Sequence, residues 1–434
     1  MQNWKKYYQN HLLTADEAVK KVKSGDRIIF QHAVGEAVAL TDALVANHDA
    51  YENVEIVHFV PMGKSEYCKP EYVKNFRHNC LFAGGPTRSA VEEGRADFTP
   101  MYLSDAVKLF TDGTLPMDVF FAHISPPDKH GYCSLGVSVD YAVAMVQKAK
   151  LVIAQVNENM PRTMGHSFVH VTDIDYFVEA NTPIPELGKS KLDEDDMKIG
   201  QYCASLVHDG DTLQLGIGSL PDAVLFFLKD KKNLGIHSEM ISDGVMELMK
   251  VGVVNGKQKT IDVGKVVVAF FMGSKEFYDF VDDNPAIQMM EADYTNDPFI
   301  ASQNDNLVSI NSTVEVDFYG QLASEAVGKK QISGTGGQVD FIRGANRSKG
   351  GRSIIVIHST AQHGKKSKIV PFLKEGTPVT CGRAELDYVV TEYGIAHIKG
   401  ETLRQRARNL INIAHPKFRP ELIAAWEDFF HDTF

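Results

Sequence analysis

With 434 residues, 44% of them apolar and 23% charged, the chain is long enough for two or three domains and too apolar to be disordered. A formal net charge of −11 removes the electrostatic ground for binding nucleic acid or an anionic membrane, and no uncharged apolar stretch approaches the ~18 residues that span a bilayer. Five scattered cysteines with no C-x-x-C pair argue against a disulfide framework and a zinc site; with no apolar leader segment after Trp4, they predict a cytoplasmic protein.

In chain order, Gly25-Asp26 opens an apolar strand from Arg27 to Phe30. The turn Gln31-His32-Ala33-Val34-Gly35 and a helix rich in Ala, Val and Leu follow it. Further strands are predicted from Asn53 to His58, from Cys80 toward Gly85, and from Leu151 to Val156. The polar stretch from Asn181 to Asp195, with Pro183, Pro185, Gly188 and the acidic run beginning at Glu194, reads as a linker. The same order then returns. Gly210-Asp211 opens the strand Thr212 to Leu215, the turn Gly216-Ile217-Gly218-Ser219 follows, and a helix carries Ala223, Val224 and Leu225. Strands from Asn233 to His237, Ala269 toward Ser274 and Ser353 to Ile357 continue the parallel, and the tail from Thr402 reads as two helices separated by His415-Pro416. Short apolar runs alternating with helical segments predict an α/β fold: two similar, mainly parallel α/β domains, residues 1–185 and 186–434.

In open parallel sheets, ligands bind beyond the carboxyl ends of the strands. Two features of the second half belong there. One is the Gly216-Ile217-Gly218 turn. The other is Glu239, expected just past the end of its strand, where the first half has His58-Phe59-Val60-Pro61 and no acid. Glycines at such a turn admit a ligand to the backbone, and N–H groups opening a helix face negative charge. Gly334-Thr335-Gly336-Gly337 is a second element of this kind. A carboxylate between two such turns can attack an activated acyl group while the turns stabilise the oxyanion. Each feature also has a plain reading: close packing for the glycines, a solvated strand end for the acid. His123, His130 and Cys133 have no metal-ligand spacing, so no metal is expected. Gly216-Ile217-Gly218 continues to Pro221 where a dinucleotide-binding turn requires glycine.

Taken together, Gly216-Ile217-Gly218 with Pro221, His237-Ser238-Glu239-Met240 with Asp243-Gly244, Gly336-Gly337 before Asp340-Phe341, and Val390-Thr391-Glu392-Tyr393-Gly394-Ile395-Ala396 with Leu403-Arg404-Gln405-Arg406-Ala407 resemble the acetyl-CoA hydrolase/transferase family, in its 4-hydroxybutyrate and butyrate CoA-transferase branch. The resemblance covers nearly the whole chain. It implies two domains of the CoA-transferase type with a cleft between them, a homodimer, and a coenzyme A thioester and small carboxylates as substrates with no permanently bound cofactor. Within it, Glu239 is the nucleophile, Asn296 and the backbone N–H of Gly337 hold the thioester oxygen, and Gly216, Ile217, Gly218 and Gly336 line the CoA path. Gln31 and His32, at the matching turn of the first half, are candidates to face the acyl group, with packing as the alternative. A hydrolase on the same scaffold, with water in place of the acceptor acid, and a non-catalytic acyl-CoA or sugar-phosphate binding module are the competing functions.

Overall fold

Runs such as Arg27–Phe30 (β1) and Val119–Ile124 (β5) are apolar on both faces, which only a sheet covered on both sides accommodates. In the computed structural model, which describes residues 3–188 and 190–434, they join Val54–His58 (β2), Phe76–Cys80 (β3), Ala96–Phe98 (β4), Leu151–Val156 (β6) and Tyr176–Glu179 (β7). The seven form one sheet in the order β4-β3-β2-β1-β5-β6-β7, parallel throughout. Ile28 faces both Ile56 and Val119 across the ladder, and Ile28, Phe30, Ile56, Phe121 and Ile153 share a core with Leu40 and Leu44 of the helix Val38–Ala46 (α1). The third strand begins earlier than an apolar-run reading places it. Its middle, Arg77-His78-Asn79, is polar, yet His78 and Asn79 are buried, with His78 Nδ1 2.9 Å from the Ile56 carbonyl.

Six strands of a second, eight-stranded sheet are Thr212–Leu215 (β8), Gly235–Ile241 (β9), Leu307–Ser312 (β10), Arg352–Val356 (β11), Tyr388–Thr391 (β12) and Gly394–His397 (β13). These run in the order β9-β8-β10-β11-β12-β13, parallel except for the β12-β13 hairpin. The repeat seen in the sequence is physical. The first strand of each series is central, its second lies on one side and a later strand on the other. Gly25 and Gly210, before those first strands, both take left-handed backbone angles (φ +81° and +83°). The aspartates after them accept the same bond, Asp26 from the Lys23 N–H at 2.8 Å and Asp211 from the His208 N–H at 2.6 Å.

The chain is divided into two units, one running up to Gly188 and including Val267–Thr295, the other running on to Val266 and again from Asn296 to Phe434. The sequence places a single boundary at 185–186; the polypeptide passes between units at 188–189, 266–267 and 295–296. The acidic run expected in the linker begins a helix instead. Asp193 caps Glu194–Ser205 (α2), exchanging backbone N–H bonds with Asp196, and Glu194, Asp195 and Asp196 fill the first turn, where the helix dipole favours negative charge. The tail forms two helices, Leu403–Asn412 and Arg419–Phe430, with His415-Pro416 between them. Among the described residues no helix is long and apolar enough to cross a membrane.

Candidate active site

Glu239 lies inside β9, not past its end. Met240 and Ile241 are apolar and buried, so the strand runs on to bury them, and Glu239 is its single partly exposed residue. Ser238 fixes the local geometry: its Oγ accepts the Leu215 N–H of β8 at 3.2 Å and donates to the Met240 carbonyl at 2.7 Å. Thr212 pairs with Gly235 and Leu213 with Ile236, and Ser238 bonds both the N–H and the carbonyl of Leu215, so the end of β8 lies beside the residue that precedes Glu239.

Asn296 is fully buried, and its Nδ2 donates to Glu239 Oε2 at 2.8 Å. Its own Oδ1 is buried with no hydrogen-bond partner among the described residues. The neighbouring Asp297 caps the helical turn Pro298–Ala301, accepting the Phe299 N–H at 2.6 Å, and so fixes the backbone on which Asn296 sits.

Gly337 completes the group. It precedes the helix Gln338–Arg347, whose Phe341 and Ala345 pack on Leu307 of β10 and on Ala301. The Gln338 side chain donates to the Ser312 carbonyl at 3.0 Å, seating the helix start at the end of β10. A Cβ at Gly337 would fall 2.0 Å from Glu239 Oε2 and 2.2 Å from Asn296 Nδ2, so any side chain there would displace the carboxylate or the amide. Gly336 has φ +53°, and the loop before it is held by Glu325, whose carbonyl accepts the N–H groups of Ile332 (2.7 Å) and Ser333 (3.0 Å) and whose carboxylate accepts the Thr335 hydroxyl at 3.1 Å. Sequence reading did not single out Glu325; an acid a dozen positions before a glycine turn carries no local signal.

The Gly216–Gly218 turn leads into Ser219–Phe226 (α3). Gly218 adopts φ +111°, with open space where a Cβ would stand, and Ile217 is exposed. Ser219 donates to Asp196 Oδ1 at 3.0 Å. Asp193, Asp196 and His358 are the one cluster among the described residues with potential metal-ligand atoms within 4.8 Å of one another, but the helix cap, Ser219 and His358 itself already occupy the Asp196 oxygens.

In the first unit, Gln31 spends its amide on the fold. It donates to the carbonyls of Leu135 (2.7 Å) and Ser138 (2.8 Å) and accepts the His123 N–H at 2.7 Å, which is the packing alternative. His32 Nδ1 is hydrogen-bonded to Asp140, a buried carboxylate that also accepts the Tyr141 N–H at 3.0 Å. Its Nε2 is buried without a hydrogen-bond partner among the described residues, and its ring packs against Phe270 and Phe59. His123 is pushed down to about 4 by burial, so this histidine is neutral at neutral pH.

Residues 1–187 match the acetyl-CoA hydrolase/transferase N-terminal domain and residues 273–426 its C-terminal domain. The chain is 59% identical to the 4-hydroxybutyrate coenzyme A transferase of Clostridium kluyveri over 420 residues, covering 97% of this chain and 98% of that protein. Its fold superposes on the crystal structure of 4-hydroxybutyrate CoA-transferase from Porphyromonas gingivalis with a TM-score of 0.84, at 41% identity over 99% of both chains. RipA from Yersinia pestis gives a TM-score of 0.94 at 35% identity, over 99% of this chain and 100% of that one. The α/β architecture is thus the CoA-transferase fold, and the chain belongs to the acetyl-CoA hydrolase/transferase family.

Proposed function

We propose that this CoA-transferase moves CoA between acetyl-CoA and a short-chain carboxylate such as 4-hydroxybutyrate or butyrate, with Glu239 as its nucleophile. The observation that carries the reading is the overlap of a would-be Gly337 side chain with the Glu239 carboxylate and the Asn296 amide. The site brings a carboxylate, an amide donor and a helix-start backbone N–H to one point and leaves Glu239 partly open.

Glu239 attacks the thioester carbonyl, and the oxyanion forms against the Asn296 amide and the Gly337 N–H. The C–S bond then breaks, leaving an acyl-glutamyl anhydride and CoA thiolate. The thiolate adds to the Glu239 carbonyl and expels the carboxylate, giving a glutamyl-CoA thioester. An incoming carboxylate runs these steps in reverse. Each exchange breaks one activated acyl bond as it forms another, so the reaction needs no separate energy source, and water has to be kept from the thioester. The Gly216–Gly218 turn and Gly336 line the CoA path. From the family resemblance we also infer a homodimer, which sedimentation equilibrium checks. Five cysteines held as free thiols support a cytoplasmic location.

Intact mass spectrometry of the protein mixed with acetyl-CoA or butyryl-CoA, without an acceptor acid, tests the route. The expected result is an adduct of CoA less one water, mapped to Glu239 and discharged by acetate. Steady release of free acid without an adduct would make the protein a hydrolase. Glu239→Gln is expected to abolish exchange with the melting temperature unchanged; wild-type turnover in that variant would remove the nucleophile assignment.

A further inference from the structure

The Gly216–Gly218 turn has little of its own to hold it. A Cβ at Gly218 would meet nothing within 4 Å, one at Gly216 would touch only Pro221, at 3.9 Å, and Ile217 is 41% exposed. Its shape is therefore set where it leaves β8 and where it enters α3. At the first end, Leu215 is fixed by Ser238. At the second, the Ser219 hydroxyl donates to Asp196 Oδ1.

Asp196 is 4% exposed and both its oxygens are engaged: Oδ2 accepts the Asp193 N–H at 3.1 Å, and Oδ1 accepts His358 Nε2 at 3.0 Å besides Ser219. His358 stands just beyond β11, and the next residue is anchored in turn. Ser359 donates its N–H to Glu392 Oε2 at 2.9 Å and its hydroxyl to the other oxygen. Glu392 follows directly on β12 and is 7% exposed. A line of charge-assisted hydrogen bonds thus runs along the carboxyl ends of the strands, from the last parallel strand to the glycine turn. It gives the Thr391-Glu392-Tyr393 string a physical task.

We propose that Asp196 and His358 are positioning residues for acyl-CoA: through Ser219 they hold the Gly216–Gly218 turn in the shape that receives CoA. The inference rests on the reading that this turn lines the CoA path. In a two-step exchange, kcat/KM for acetyl-CoA reports the half-reaction in which free CoA ester must bind. By contrast, kcat/KM for butyrate reports the one in which CoA is already attached to the enzyme. A loosened turn harms the first and spares the second, whereas general damage to the fold harms both.

The test is steady-state exchange between acetyl-CoA and butyrate for Ser219→Ala, His358→Ala, His358→Gln and Gly218→Ala, with melting temperatures measured alongside. Ser219→Ala and His358→Ala are expected to lower kcat/KM for acetyl-CoA about tenfold and to change that for butyrate less than about twofold. His358→Gln, which keeps an N–H for Asp196, recovers most of the loss. If Gly218→Ala lowers kcat/KM for acetyl-CoA while Ser219→Ala and His358→Ala do not, the turn receives CoA but the anchor is refuted. Equal losses for both substrates also refute it. No effect from Gly218→Ala overturns the reading of the turn, and the anchor with it.

Discussion

At Gly337 the absence of one methyl group decides whether the site can exist. An added Cβ would stand at 2.0 Å from Glu239 Oε2, so either the carboxylate leaves Asn296 or the helix start moves. Gly337 has φ −97°, an angle any residue adopts, so Gly337→Ala carries no backbone strain and its cost falls on the chemistry. Alanine keeps the N–H but displaces it or the Glu239–Asn296 pair, so we expect turnover to fall by up to ~10²–10³-fold, the cost of losing one oxyanion donor outright, with the melting temperature nearly unchanged. Rates of acetyl-CoA:butyrate exchange check this. At this scale much was legible in the chain: an acid present in one half and missing from the other marked Glu239, and paired glycines before a helix marked Gly337. The line from Ser219 through Asp196 to His358 was not, because its members lie far apart in sequence and each is an ordinary polar residue until folding joins them.

Among the elements, the paired openings of the two sheets were the most readable feature. Gly-Asp before an apolar strand recurs because the turn needs a left-handed residue and then a carboxylate to accept the N–H three residues back. Gly25→Ala is expected to cost about 1–2 kcal/mol from backbone strain alone, since nothing crowds its Cβ. Gly210→Ala should cost about the same, because only the flexible amide end of Gln258 stands in its way. Urea midpoints of the two variants compare them. Element limits were less legible, and for identifiable reasons. Polar His78 and Asn79 hid the start of β3, while a charge hid the continuation of β9. The acids of α2 looked like linker because capping needs polar residues of the same kind.

Over the whole molecule, two buried acids tie stability to pH. Burial pushes Glu36 up to about 7, against the Gly63 N–H that it accepts, and pushes Glu291 up to about 7 against the Ala144 N–H. Their folded-state values lie above the ordinary 4.5. The contribution is therefore fully present below about pH 4.5 and is lost as pH rises through about 7. Glu36→Gln keeps an acceptor for Gly63 and cannot ionise. Its melting temperature should exceed that of the wild type at pH 8, by a free energy on the order of 2 kcal/mol, with the difference closing at pH 4. Calorimetry at the two pH values decides it; an equal offset at both would assign the effect to packing.

The division of the chain has a consequence for anyone who would take the protein apart. The stretch Val267–Thr295 is at home in the first unit, and the very next residue, Asn296, supplies the amide that grips Glu239 in the second. Halves made by cutting once after residue 188 are thus both defective. One lacks the stretch Val267–Thr295 of its own unit, and the other carries that stretch, whose run Val267 to Met272 is buried in the whole protein. The module is not a contiguous stretch of gene, and a faithful dissection would need three cuts and two new joins, 188 to 267 and 266 to 296.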